Sequence, residues 1–169
     1  MAKVRFYFCD PTAGFKKPIS WLIKLVDKAP ASHFALDISG VVYESVWPKS
    51  QSILRIKWLN HYKIVKQYEL DVDNIKASFM IEFCDTLIGK HYSPTQIFMI
   101  GLAALVKPFE KIFGKKIVNG NKYLICTEVG SRFMEQFMML ELKEETHDMI
   151  SISDLYHLCN DLKSIGKLK

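Results

Sequence analysis

The chain has 169 residues, 49% of them apolar and 24% charged, with a formal charge of +5. That length suits one domain, 1–169, with a substantial core, and the composition excludes a disordered polymer. The lysines are spread along the chain with no arginine-rich or aromatic-interleaved run, so no nucleic-acid partner is expected.

Val4 to Phe8 alternates as a strand, with Val4, Phe6 and Phe8 on one face. Asp10-Pro11-Thr12-Ala13-Gly14 is a turn cluster. Pro18 to Lys28 reads as a short helix with Trp21, Leu22 and Leu25 on its apolar side. After Pro30-Ala31 comes Ser32-His33-Phe34-Ala35-Leu36-Asp37-Ile38-Ser39-Gly40-Val41-Val42-Tyr43-Glu44-Ser45. Apolar residues alternate on both sides of Ser39-Gly40, as in a hairpin with a two-residue turn. That turn fixes the register: Ile38 faces Val41, Leu36 faces Tyr43 and Phe34 faces Ser45. These make the face expected to be buried. The other face carries His33, Ala35, Asp37, Val42, Glu44 and Val46. Glu44 then lies opposite Ala35 and diagonal to His33, roughly 7–8 Å away at Cα. A histidine and a carboxylate are thus aimed at one space, the base and orienter of a nucleophilic site. The alternative is an exposed strand face that carries polar residues.

Pro48-Lys49-Ser50 breaks the second strand. Ile53 to Trp58 and Lys63 to Leu70 read as further strands. Asp71 to Gly89 reads as a helix with Ile75, Phe79, Phe83 and Leu87 on its apolar face, stopped by Gly89. Ser93-Pro94 opens another helix carrying Ile97, Ile100, Ala104 and Leu105. The apolar run Ile97 to Val106 is about half the length that spans a bilayer. Residues 97–116, apolar and then lysine-rich, read either as a core helix with a solvated basic end or as a peripheral membrane contact. Gly114 to Asn121 is a polar loop and Glu141 to Asp148 an acidic one. Ser151-Ile152-Ser153-Asp154 has helix-start chemistry, followed by Leu155, Leu158 and Leu162. The sum is an α+β domain with a small antiparallel sheet.

Cys9, Cys84, Cys126 and Cys159 have no close paired spacing, so neither a zinc site nor a disulfide framework is expected, and no cofactor. With no secretory leader, a cytoplasmic setting with free thiols is expected. Val129, Phe133, Phe137 and Leu140 recur at helical spacing, which places a helix over about Thr127 to Leu140. Cys126 stands at its first turn, where the helix dipole and free N–H groups favour a thiolate. Its own N–H is available to an oxyanion. The other reading of Cys126 is a small buried hydrophobe, which is also the reading of mid-helix Cys84 and Cys159. Cys9 ends a strand beside a turn.

Ser-His-Phe-Ala-Leu-Asp-Ile, then Val-Tyr-Glu-Ser, then a distant Tyr-Leu-Ile-Cys-Thr-Glu-Val together resemble the circularly permuted branch of the NlpC-type papain-like cysteine peptidases. The YiiX-like hydrolases belong there; the lecithin:retinol acyltransferase-like enzymes are more distant. Gly89-Lys90-His91-Tyr92-Ser93 resembles the segment before that family's middle helix, and Ser151-Ile-Ser-Asp-Leu its closing helix start. The resemblance covers nearly the whole chain. It implies a permuted papain-like fold with Cys126 as nucleophile, His33 as general base and Glu44 as its orienter. Tyr92 and Thr127 would border the substrate; Thr127 stands where the family more often has serine. The implied activity is hydrolysis of an amide, isopeptide or thioester in a peptide or acyl substrate, through an acyl-enzyme. Compact permuted members also occur in viruses, so a phage or viral setting, in virion or host cytoplasm, fits as well. Competing readings are a lipid acyltransferase or phospholipase at a membrane surface, and a binding module that kept the fold without the chemistry.

Overall fold

The computed structural model describes residues 1–13, 16–92, 123–138 and 150–169; the side chains of 16–19, 22, 26, 123 and 124 are outside that description. The order of elements is β1 (Ala2–Pro11), α1 (Lys16–Asp27), β2 (His33–Ile38), β3 (Val41–Glu44), β4 (Gln51–Leu54), α2 (Arg55–Trp58), β5 (Tyr62–Val72), α3 (Asn74–Leu87), β6 (His91–Tyr92), β7 (Tyr123–Leu124), α4 (Cys126–Met138) and α5 (Ile152–Ser164). This is an α+β architecture. Five strands form one antiparallel sheet in the order β4-β3-β2-β1-β5, and β6 and β7 form a short parallel pair.

The β2–β3 turn has the register that its length requires, with Leu36 opposite Tyr43, Asp37 opposite Val42 and Ile38 opposite Val41. Ser39 and Gly40 both have positive φ, 54° and 93°, the geometry of a turn whose twist matches the strands it joins. The backbone N–H of Gly40 donates to Asp37 at 2.7 Å and fixes the turn further.

One sheet face carries Val4, Phe6, Phe8, Phe34, Leu36 and Ile38, all fully buried under α3, α4 and α5. The opposite face is not the exposed polar surface that alternation allows. Tyr7, Cys9, Ala35, Val42, Trp58 and Tyr62 make a second buried cluster there, and every residue of β2 is buried. Both faces are therefore covered at the strand that bears His33.

Several local expectations change. Asp10 and Pro11 do not turn but extend β1, opposite Lys63 and Tyr62, after a bulge between Phe8 and Cys9. The strand expected over 53–58 stops at Leu54. One helical turn follows, which leaves Ile56 81% exposed and swings Trp58 completely inside. In α3 the buried face is Ala77, Met80, Cys84 and Leu87, whereas Ile75 and Phe79 are 72% and 59% exposed. A step of four advances about 40° around a helix, so a stripe of four such residues drifts by about 120° and only its end meets the core. In α1, Trp21 and Leu25 face outward while Ile23 packs on the core.

α5 begins as its sequence requires. The Ser151 hydroxyl accepts from the Asp154 N–H while the Asp154 carboxylate accepts from the Ser151 N–H, a capping box. Leu155 and Leu162 are buried and Leu158 packs against them. The helix expected from Ser93, the stretch 97–116 with its membrane contact, the loop 114–121 and the acidic stretch 141–148 lie outside the described residues. Among those described, no helix is long and apolar enough to cross a membrane.

Candidate active site

His33 opens β2, Glu44 closes β3, and the two-residue turn puts both side chains on the second, buried face. His33 Nε2 and Glu44 Oε2 are 2.9 Å apart. An ionised carboxylate only accepts, so the imidazole proton sits on Nε2 and Nδ1 is left for another partner. The thiol of Cys126, the first residue of α4, lies close enough to the imidazole to help raise its pKa. The helix lies against β2 through Gly130 and Phe34, and this contact brings Cys126 to the histidine.

Asp37 shares the His33 face but belongs to another cluster. Its carboxylate accepts from Tyr7 Oη at 2.9 Å and Arg5 Nη1 at 3.1 Å, with Arg55 Nη1 at 3.7 Å. Its side chain is fully buried. Position along the strand thus assigns the two carboxylates to different tasks.

The electrostatics favour an ion pair. Burial pulls the His33 pKa down, but hydrogen bonds to Cys126 and Glu44, and their charges, outweigh it and lift it to about 9. Burial would raise Glu44; the hydrogen bond and charge of His33, with donors from Gln51 and Trp58, bring it down to about 2. Burial first, then the nearby Cys126, raises the pKa of the Tyr92 hydroxyl. Tyr92 is held there by backbone pairing opposite Leu124 and by its N–H donating to the Pro48 carbonyl at 2.9 Å. Thr127 is 2% exposed and its hydroxyl has no hydrogen-bond partner among the described residues.

These shifts set a pH dependence. His33 binds its proton more tightly folded than unfolded, so its stabilisation is complete below about 6.5 and fades as pH rises through about 9. Glu44 holds its proton less tightly when folded, so its stabilisation is present above about 4.5 and fades towards about 2. In Cys126→Ala, where no thiolate offsets the proton on His33, urea unfolding midpoints should be highest between these limits and already fall between pH 6.5 and 9, below the range where the remaining buried thiols, with their ordinary value of 9.0 and upward shifts, add to the loss. A flat midpoint over pH 6.5–9 in that variant would remove the His33–Glu44 ion pair.

No family model matches the chain, and no curated protein or solved structure does either. The site therefore stands on its own geometry. His33 and Glu44 meet as their sequence positions suggest, and Cys126 opens α4, the helix packed on β2. Three residues around them carried no sequence signal of their own. Gln51, directly opposite Glu44 across β3–β4, donates to Glu44 Oε1 at 2.8 Å. Trp58 donates to Glu44 Oε2 at 3.0 Å. Tyr62 stacks on the His33 ring with centroids 5.1 Å apart. The register of a third strand would have revealed Gln51; Trp58 was hidden in a segment whose alternation reads as a strand.

Proposed function

We propose that the chain is a cysteine hydrolase that cleaves an amide, isopeptide or thioester through an acyl-enzyme. The observation that carries the reading is a helix-start thiol close to an imidazole whose Nε2 is bonded at 2.9 Å to a buried carboxylate. The order of these parts, histidine hairpin first and nucleophile helix late, fits a permuted papain-like fold.

In the first step the Cys126 sulfur attacks the acyl carbon and the carbonyl oxygen takes the negative charge. The Cys126 N–H and the Tyr92 hydroxyl are available to that oxygen. Collapse breaks the bond to the leaving amine or thiol, which takes the proton from His33. A water molecule then gives its proton to His33 and attacks the thioester. The acid departs and the thiolate–imidazolium pair returns. Glu44 keeps the imidazole oriented and supports its charge in both halves. Thr127, next to the nucleophile in sequence, borders the acyl group.

Brief iodoacetamide treatment followed by peptide mapping tests the nucleophile. Cys126 should label first. It is 5% exposed and close to an imidazole, while Cys9, Cys84 and Cys159 are at 0%, 1% and 0%. Burial pushes the Cys9 and Cys159 thiols up and takes Cys84 to about 12. Equal labelling, or labelling of Cys9 first, would take Cys126 out of the role. Mass spectra of the protein trapped with a series of acyl electrophiles then rank the acyl groups.

A further inference from the structure

We propose that Trp58 is a positioning residue for the catalytic pair, holding the Glu44 carboxylate in the rotamer that faces His33. The inference rests on the thiol–imidazole reading above and adds a part that reading does not require. Glu44 Oε2 accepts two hydrogen bonds, from His33 Nε2 at 2.9 Å and from Trp58 Nε1 at 3.0 Å. An indole N–H can donate but never accept, so it favours a carboxylate in this one place. Gln51 holds the other oxygen but stands exposed on an edge strand, where water competes with it. Trp58 has no accessible surface, so water cannot substitute for its N–H.

The indole is itself fixed. It stacks between Tyr7, with centroids 5.2 Å apart and planes 18° from parallel, and Tyr62, at 4.9 Å and 19°. Tyr62 continues the stack onto His33 at 5.1 Å and 22°. Burial, then the charge of Glu44, pushes the pKa of its hydroxyl up. Four rings in file thus carry the rigidity of the sheet to the imidazole. The single turn of α2 departs from the extended pattern of its sequence to place Trp58 in that file. The titratable groups facing the pair are Cys9 from β1, Tyr62 from β5, Tyr92 from β6 and Cys126 from α4.

The test follows the His33 imidazole by NMR through a pH titration of the full chain. Its midpoint should lie near 9 in the unaltered protein. Trp58→Phe keeps a ring in the stack and removes the N–H. It should lower the midpoint by about 0.5–1 pH unit, the size expected for one hydrogen bond that supports a charge. Tested in a Glu44→Ala background, where no side chain is left to hold, Trp58→Phe should add nothing, because the two act through one contact. If Trp58→Phe does not fold, β-(3-benzothienyl)alanine introduced at position 58 keeps the shape of indole and lacks its N–H. A midpoint unchanged by loss of the N–H, or an equal drop in the Glu44→Ala background, overturns the positioning role. Cys126→Ala is the separate control. A midpoint that it leaves unmoved removes the thiol from the imidazole and fails the proposed function, whatever Trp58 does.

Discussion

Glu44→Gln should slow acylation by about 10²–10⁴-fold while the domain stays folded. Glutamine keeps the shape of the side chain. Its one carbonyl oxygen can serve both His33 and Trp58, and its NH₂ group can meet Gln51 if that amide turns to present its own oxygen. What it loses is the charge that supports the imidazolium. Asp37→Asn should do the reverse. That carboxylate is fully buried against Arg5 and Tyr7, so its neutralisation should cost about 1–3 kcal/mol of stability. Sequence alone suggests a mild effect, because Asp37 is too far along β2 to reach His33; burial of the second face makes it a structural residue. Unfolding midpoints and acylation rates for the two variants, measured side by side, should separate. An Asp37→Asn protein that is stable but as slow as Glu44→Gln would reverse the assignment of the two carboxylates.

The hairpin was legible because its register follows from two residues. A Ser-Gly turn of fixed length decides which side chain faces which, and the diagonal between His33 and Glu44 comes with it. The start of α4 was legible for a similar reason, since Val129 and Phe133 mark a helix that Cys126 must open. Spacing marks an apolar arc but not its centre, so α3 turns Cys84 and Met80 inward where Phe79 was expected. Alternation along one strand reports one neighbour layer, so it could not show that Trp58 and Tyr62 cover the second face. Both failures have one cause: which surface is buried is decided by elements distant in sequence.

Gly130→Ala should destabilise the domain and displace the nucleophile, although alanine is the better helix former. Gly130 lies four residues after Cys126, one turn along α4. A Cβ there would stand 2.6 Å from Leu155 Cδ2 and 2.8 Å from Phe34 Cε1, both in fully buried side chains. Overpacking of this kind costs about 1–3 kcal/mol. Helix propensity returns up to about 1 kcal/mol, so the expected net loss is up to about 2 kcal/mol. The chemical effect follows from where Phe34 sits, next to His33 on β2. A helix pushed off Phe34 carries the Cys126 thiol away from the imidazole, and a misplacement of about 1 Å costs on the order of 10²-fold in rate. Urea unfolding and the rate of Cys126 alkylation should therefore fall together. An alanine variant that is more stable and alkylates at the original rate would show that the helix is not seated by this contact, and that another element sets the distance between thiol and imidazole.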